Sequence, residues 1–120
     1  MTVQDPRAEQ TIALSASQPA AGVTVLAVSG EVDMVSAPAL RDALVNGLAD
    51  GGTFVVNMTG VTFLGSAGLA VLVEAARLAP QHSTALKVVA TARAVTRPLE
   101  ATGLGEVFSV HESVDAAVTT

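Results

Sequence analysis

The sequence contains no cysteine, no tryptophan and no tyrosine, and only three phenylalanines among 120 residues. Without thiols the chain forms no disulfide, no thiolate zinc site and no redox switch of its own. With so few aromatic rings, the interior must be built from Ala, Val and Leu in ordinary close packing. Half of the residues are nonetheless hydrophobic, so we expect one folded domain rather than disorder.

Basic side chains are also scarce. Six Lys and Arg stand against eleven Asp and Glu, which gives a net charge of −5, and the basic residues form no cluster. Nucleic acid is therefore excluded as a partner, because phosphate binding needs cations. His82 and His111 are predicted to be surface residues, and two histidines without cysteine do not indicate a metal site.

One uncharged stretch of 23 residues, Gly51 to Val73, is long enough to imitate a membrane span. Polar residues and glycines interrupt it at turn-like spacing, so we interpret it as a strand, a bend at Thr59-Gly60 and a buried helix. Residues 1–10 lack the apolar core of a secretory signal and are expected to form a flexible segment. We therefore expect a cytoplasmic protein with no membrane partner.

Hydrophobic periodicity predicts strands that alternate with helices. The predicted strands are 11–16, 23–29, 53–57, 61–64, 85–90 and 107–110. The predicted helices run from Ser36 to the glycines at 51–52, and over 66–79, 95–102 and 113–118. We expect the first two strands to pair as a hairpin, 53–57 to lie centrally, and Gly30–Asp33 to form a turn. The fold class is α/β, a mixed sheet made of this hairpin and parallel strands, with flanking helices.

Ser66 lies where the strand-like run 61–64 ends and a helix begins. The first N–H groups of a helix lack intrahelical partners and carry partial positive charge, so a phosphoryl group would be stabilised there. The ordinary interpretation of a serine at this position is a helix N-cap. The local sequence alone leaves both interpretations open.

Three segments, 30–41, 61–72 and 99–104, resemble the STAS domain in the branch of bacterial anti-sigma factor antagonists. The resemblance extends in order over nearly the whole chain and implies a single STAS-like domain over 1–120. It implies a binding protein with no catalytic activity and no cofactor of its own. In this family a kinase that is itself the anti-sigma factor uses ATP to phosphorylate a serine, and the unphosphorylated antagonist binds that kinase and frees a sigma factor.

Aligned with the family pattern, the phosphorylated serine corresponds to Ser66 and the following helix glycine to Gly68. The family usually has an acidic residue before the serine and a Ser or Thr after it, whereas this chain has Gly65 and Ala67. The implied partners are an anti-sigma factor with serine kinase activity and a phosphatase, and we expect a monomer. The predicted partner-binding residues are Glu31, Asp33, Ser36, Gly65, Ala67, Gly68 and Leu69.

Other functions fit the sequence less well. A serine hydrolase would need a G-x-S-x-G motif around Ser66, but residue 64 is leucine. A nucleotide-binding enzyme would need a lysine in its phosphate loop, and 65–68 contains none. A STAS-type interaction or scaffold module in which Ser66 is never modified remains an alternative, and Gly65 is the residue that favours it.

Overall fold

A computed structural model describes residues 12–104 and 107–119. The strands are β1 (Ile12–Ala20), β2 (Val23–Val32), β3 (Gly52–Leu64), β4 (Thr84–Val89) and β5 (Ser109–His111). The helices are α1 (Ala37–Leu48), α2 (Ser66–Leu78), α3 (Arg93–Ala101) and α4 (Val114–Val118), with a 3-10 turn over Ala79–His82. The predicted flexible segment 1–10 lies outside the described residues.

The strands form one mixed sheet in the order β1-β2-β3-β4-β5. β1 and β2 are antiparallel, and the remaining neighbours are parallel. The hairpin needs only two linking residues, and Gly22 adopts the positive φ of +74° that such tight links require. The predicted mixed sheet and the predicted central position of residues 53–57 are confirmed.

The bend predicted at Thr59-Gly60 is wrong, because β3 continues through these residues to Leu64. Two register shifts against β2 accommodate them, one before the Ser29–Gly60 pair and one after the Gly30–Val61 pair. Each shift places one extra residue on β3, as in a β-bulge. β3 therefore stays paired with β2, while each shift changes the face of the sheet to which the following side chains of β3 point.

The turn predicted over Gly30–Asp33 also begins later than expected. β2 remains a strand through Val32, which pairs with Leu64 of β3. The turn starts at Asp33 and leads directly into α1. The ends of β2 and β3 thus lie side by side, and each strand is followed by a helix.

The main core lies on the face of the sheet covered by α1, α2 and α3. α4 covers a smaller cluster on the opposite face, consisting of Val25, Val55, Val89 and Ala117. In β3, Phe54 and Val56 point to the first cluster and Val55 to the second, so this strand is buried on both faces. α1 and α2 are neighbours, and the Arg41 guanidinium lies 2.7 Å from the Glu74 carboxylate.

Candidate functional site

The carboxyl ends of β2 and β3 bring two loops together at one edge of the sheet. The Gly65 N–H donates to the Val32 carbonyl at 2.9 Å, which fixes the start of α2 against the end of β2. An open depression of about 400 Å³ lies between the two loops. It is lined by Asp33, Met34, Phe63, Gly65, Ser66 and Ala67.

The loop after β2 is held by the Asp33 side chain. Its Oδ1 accepts hydrogen bonds from the N–H groups of Val35 and Ser36, each at 3.0 Å, and the Ala37 N–H donates to the Asp33 carbonyl at 2.8 Å. The hydrogen bonds from Ser36, followed by that from Val35, lower the pKa of the Asp33 carboxyl below its usual value, since they favour the charged form. Asp33 is therefore a fixed negative charge beside the depression.

Ser36 was predicted to contact a partner, but its side chain is fully buried, with 0% exposure. Its hydroxyl donates to the Glu31 carbonyl at 2.9 Å and accepts from the Asp33 N–H at 2.9 Å. It occupies the N-cap position of α1 without making a side-chain cap hydrogen bond. Ser36 thus holds the loop in its conformation through these hydrogen bonds, and a partner cannot contact its buried side chain.

Ser66 is exposed at the first position of α2. Gly65 takes the N-cap position instead, with φ −88° and ψ 178°, and its carbonyl accepts from the Leu69 N–H at 3.1 Å. Within the described part of the chain, the Ser66 hydroxyl makes no hydrogen bond. The first turn of α2 contains no acidic residue. The hydroxyl is therefore accessible, and it lies beside free helix N–H groups.

Gly68 was also predicted to meet a partner, but it is buried and faces the sheet. A Cβ at this position would lie 2.5 Å from Val32 Cγ1 and 2.7 Å from Leu64 Cδ1. Gly68 therefore allows α2 to approach the sheet closely, and it offers no surface. Ala67 and Leu69 are half-buried and pack against the main core.

Two residues that the sequence analysis missed dominate this edge of the molecule. The side chain of Met34 is 81% exposed and that of Phe63 is 52% exposed, although both are apolar. The ring of Phe63 leans over Gly65, where a Cβ would lie 3.1 Å from Phe63 Cε2. The only signal in the sequence was the presence of large apolar residues where a turn and a strand end were expected.

These residues form one surface around the serine, which we call the Ser66 surface. It consists of the residues that line the depression, Asp33, Met34, Phe63, Gly65, Ser66 and Ala67, together with Glu31, which pairs with Phe63 on the neighbouring strand. Glu31 is exposed, and the surface carries acids but no basic residue. Exposed apolar side chains that lie together with polar residues around them are typical of a protein contact site.

Other kinds of site find little support in the described ranges 12–104 and 107–119. No group of three or more His, Asp and Glu side chains there could hold a metal ion. None of the helices in the same ranges is long and apolar enough to span a bilayer. The uncharged stretch 51–73 instead forms β3 and the first part of α2.

The family model described as STAS domain matches residues 16–117. The chain belongs to the STAS domain family. The resemblance noted in the three sequence segments is thus confirmed for the family. The match covers every element of the site, from the loop after β2 to the start of α2.

Named relatives of this STAS domain are regulators. It is 35% identical over 99 residues to the anti-sigma-F factor antagonist RsfB of Mycobacterium tuberculosis, covering 82% of this chain and 80% of that one. It is also 35% identical to an anti-sigma factor antagonist from Mycobacterium paratuberculosis, whose crystal structure superposes with a TM-score of 0.83 over 98% and 97% of the two chains. The chain is accordingly a regulatory protein of the antagonist branch and not an enzyme.

A protein of lower sequence identity shares the fold. The unphosphorylated form of the anti-sigma factor antagonist SpoIIAA matches with a TM-score of 0.71 and 17% identity, covering 87% of this chain and 92% of that one. SpoIIAA of Bacillus has also been solved in a phosphorylated form, which matches with a TM-score of 0.68 and 16% identity over 89% and 97% of the two chains. At this identity the likeness concerns the architecture alone.

Proposed function

We propose that this STAS domain is an anti-sigma factor antagonist that is switched off by phosphorylation of Ser66. The unphosphorylated form binds an anti-sigma factor with serine kinase activity and so releases a sigma factor. The observation that carries the proposal is the position of Ser66 at the start of α2, where it is exposed, beside the apolar side chains of Met34 and Phe63, and makes no hydrogen bond with any residue that the structure describes. The names of the relatives support the antagonist activity.

The physical basis of the switch is the charge that phosphate adds. A phosphoserine carries about 1.5 to 2 negative charges, and the free N–H groups at the start of α2 stabilise them. A partner packed over Met34 and Phe63 would have to remove water from this dianion, close to the fixed charge of Asp33. A loss of 100-fold in affinity needs only about 2.7 kcal/mol, which one badly placed interfacial charge supplies.

The remaining parts of the cycle belong to other proteins. ATP is the substrate of the partner kinase, and a phosphatase restores the hydroxyl. The distant relative SpoIIAA exists in unphosphorylated and phosphorylated forms, so a protein of this fold accepts phosphate without adopting a different fold. We place this cycle in the cytoplasm, where sigma factors act.

The first prediction concerns the Ser66 hydroxyl. Incubation with ATP and a cognate kinase-type anti-sigma factor should raise the intact mass by about 80 Da, the mass of one phosphoryl group. Ser66→Ala should bind the anti-sigma factor as the wild type does and gain no mass. Ser66→Asp should weaken binding at least about tenfold, since it adds a full charge to the surface. Ser15→Ala, at an exposed position on β1, is the matched control and should change neither result.

The alternative is a STAS-type interaction module that is never phosphorylated. Gly65, which stands where the family usually has an acidic residue, is the observation that favours it. In that case the mass would stay constant with every kinase tested, and Ser66→Asp would bind as tightly as Ser66→Ala. Binding to the anti-sigma factor without any gain in mass would therefore support the antagonist activity and contradict the phosphorylation switch.

A further inference from the structure

Sulfur occurs in this chain only in methionine, at positions 1, 34 and 58. Of the two methionines that the structure describes, Met58 is fully buried in the main core, with 0% exposure, and Met34 is 81% exposed. A dissolved oxidant therefore reaches the side chain of Met34 and not that of Met58. The exclusion of a redox switch drawn from the sequence considered thiols alone, and the exposure of a thioether reopens the question.

The loop after β2 holds Met34 in its exposed position. The Asp33 N–H donates to the Ser36 hydroxyl at 2.9 Å, and the Asp33 carboxylate accepts from the N–H groups of Val35 and Ser36, each at 3.0 Å. The Ala37 N–H donates to the Asp33 carbonyl at 2.8 Å. The backbone is thus fixed on both sides of Met34, while its side chain belongs to neither core cluster.

Met34 is part of the Ser66 surface and lines the same depression as Ser66 and Phe63. Phe63 is also exposed, so two large apolar side chains lie at this depression. Single exposed apolar residues are normal in soluble proteins, but neighbouring ones are typical of a contact site. The unbranched thioether of methionine adapts to the shape of an opposing surface. Met34 is therefore placed to be buried when the partner of the proposed function binds.

We propose that Met34 is a site of reversible oxidation that controls the docking of the anti-sigma factor. This inference rests on the proposed function, since it concerns the same partner on the same surface. The oxidant is a peroxide such as hydrogen peroxide. The Met34 sulfur attacks one peroxide oxygen, the O–O bond breaks, and the second oxygen leaves as hydroxide, which takes the proton of the first oxygen and becomes water. The sulfur loses two electrons, the peroxide gains them, and the product is methionine sulfoxide, which methionine sulfoxide reductases reverse.

The sulfoxide would oppose docking because it is polar. Its oxygen accepts hydrogen bonds from water in the free protein, and a partner that covers Met34 removes this water. Burying a polar group without a new hydrogen bond is unfavourable. Of the residues that line the depression, none is Lys or Arg, so no charged donor of this chain replaces the water there. Oxidation should therefore weaken docking and leave the fold intact, since Met34 is not part of the main core.

Treatment of the protein with hydrogen peroxide, followed by peptide mass spectrometry, tests the selectivity of the oxidation. The peptide that contains Met34 should gain about 16 Da, the mass of one oxygen atom in a sulfoxide. The peptide that contains Met58 should react at least about tenfold more slowly, because the protein must open before the oxidant reaches this side chain. Equal rates at the two residues would overturn the proposal, since the exposure of Met34 would then have no consequence.

The affinity for a cognate kinase-type anti-sigma factor, measured after catalase has removed the peroxide, tests the effect on docking. Oxidation of Met34 should weaken binding about tenfold, which corresponds to about 1.4 kcal/mol. Incubation with both methionine sulfoxide reductases, one for each epimer of the sulfoxide, should restore the affinity. Met34→Leu nearly keeps the volume of the side chain and removes the sulfur, so it should bind like the reduced wild type before and after peroxide. Met58→Leu is the matched control and should respond to peroxide as the wild type does.

The outcomes separate this inference from the proposed function. If the reduced and oxidised proteins bind the anti-sigma factor equally well, the proposed function stands and the role of Met34 is wrong. If peroxide weakens the binding of Met34→Leu as much as that of the wild type, the oxidation acts elsewhere and the inference is again overturned. If the reduced wild type does not bind at all, the proposed function fails, and this inference fails with it.

Discussion

Ser36 and Ser66 have the same side chain, and their surroundings give them opposite roles. Ser36 is fully buried, and its hydroxyl joins the end of β2 to the start of the next loop through two hydrogen bonds of 2.9 Å. Ser66 is exposed on the neighbouring loop, and its hydroxyl is free within the described residues. Ser36 therefore holds the Ser66 surface in place, and Ser66 is exposed on that surface.

Ser36→Ala should lower the free energy of unfolding by about 1 to 3 kcal/mol, because the Glu31 carbonyl and the Asp33 N–H would lose their hydrogen-bond partner. Urea denaturation measures this change. The exposed Ser15→Ala serves again as the control and should stay within about 0.5 kcal/mol of the wild type. If the Ser36→Ala protein were as stable as the control, water would replace the Ser36 hydroxyl. The loop would then not depend on this side chain.

The sequence could identify Ser66 because its signal is local: an apolar strand ends, a glycine follows, and a helical stripe begins. The roles of Ser36 and Gly68 were not predictable in this way. Gly68 is buried against Val32 of a strand far earlier in the chain, and Ser36 is buried by the conformation of its own loop, whose hydrogen bonds the sequence does not display. The exposure of Met34 and Phe63 was missed for the same reason, since it depends on how the two strand ends meet.

At the scale of elements, the distance between α2 and the sheet is set by the glycine at residue 68. The side chains of Val32 and Leu64, both buried, occupy the space that a Cβ at this position would need. Every residue in the first turn of α2 follows this packing, including Ser66. The distance of Ser66 from the sheet is thus a consequence of the buried contact that Gly68 makes with Val32 and Leu64.

Gly68→Ala should destabilise the protein by about 1 to 3 kcal/mol through overpacking. The better helix propensity of alanine, about 1 kcal/mol, acts in the opposite direction and should not compensate. In a Val32→Ala background, which removes the nearer of the two contacts, the same substitution should cost less, as a double-mutant cycle would show. Stabilisation by Gly68→Ala in the wild-type background would contradict this account of the helix position.

The order and type of the elements were largely predictable, and their boundaries less so. The hairpin and the parallel crossovers follow from alternation and chain order, which the sequence displays directly. The bend expected at Thr59-Gly60 was wrong because the residues typical of turns also occur at bulges within a long strand. Asn57 illustrates this, since its Oδ1 accepts hydrogen bonds from the N–H and hydroxyl of Thr59 while β3 continues.

At the scale of the whole molecule, the parallel strands separate two surfaces of different chemistry. The Ser66 surface lies at their carboxyl ends, and an open cleft of about 560 Å³ between the β1-β2 hairpin and the second half of α1 lies at their amino ends. α1 contributes to both, since the Asp33–Ser36 loop leads into its start and Asp50 follows its end. The net charge of −5 adds to the effect of a phosphate on the Ser66 surface.

Phosphorylation should act on the surface of the molecule and leave its fold unchanged. The phosphate would face free N–H groups at the start of α2, a favourable interaction of about 0.3 to 1 kcal/mol. The added repulsion in an already acidic protein works in the opposite direction. Because the two effects are small and opposed, the melting temperature should change by less than about 4 °C, which corresponds to about 1 kcal/mol for a domain of this size.

Phosphoserine incorporated at position 66 during translation allows this to be measured without a kinase. Its circular dichroism and amide spectra should match those of the unmodified protein outside α2 and the Asp33–Ser36 loop, while its affinity for the anti-sigma factor falls. Ser113 provides the matched control, because its side chain already accepts the Ala116 N–H at 3.0 Å as the N-cap of α4. Phosphoserine there should leave affinity intact, since α4 lies on the other face of the sheet. Global spectral change at Ser66 would mean that the switch works by unfolding, because a surface effect alone cannot reach the distant strands.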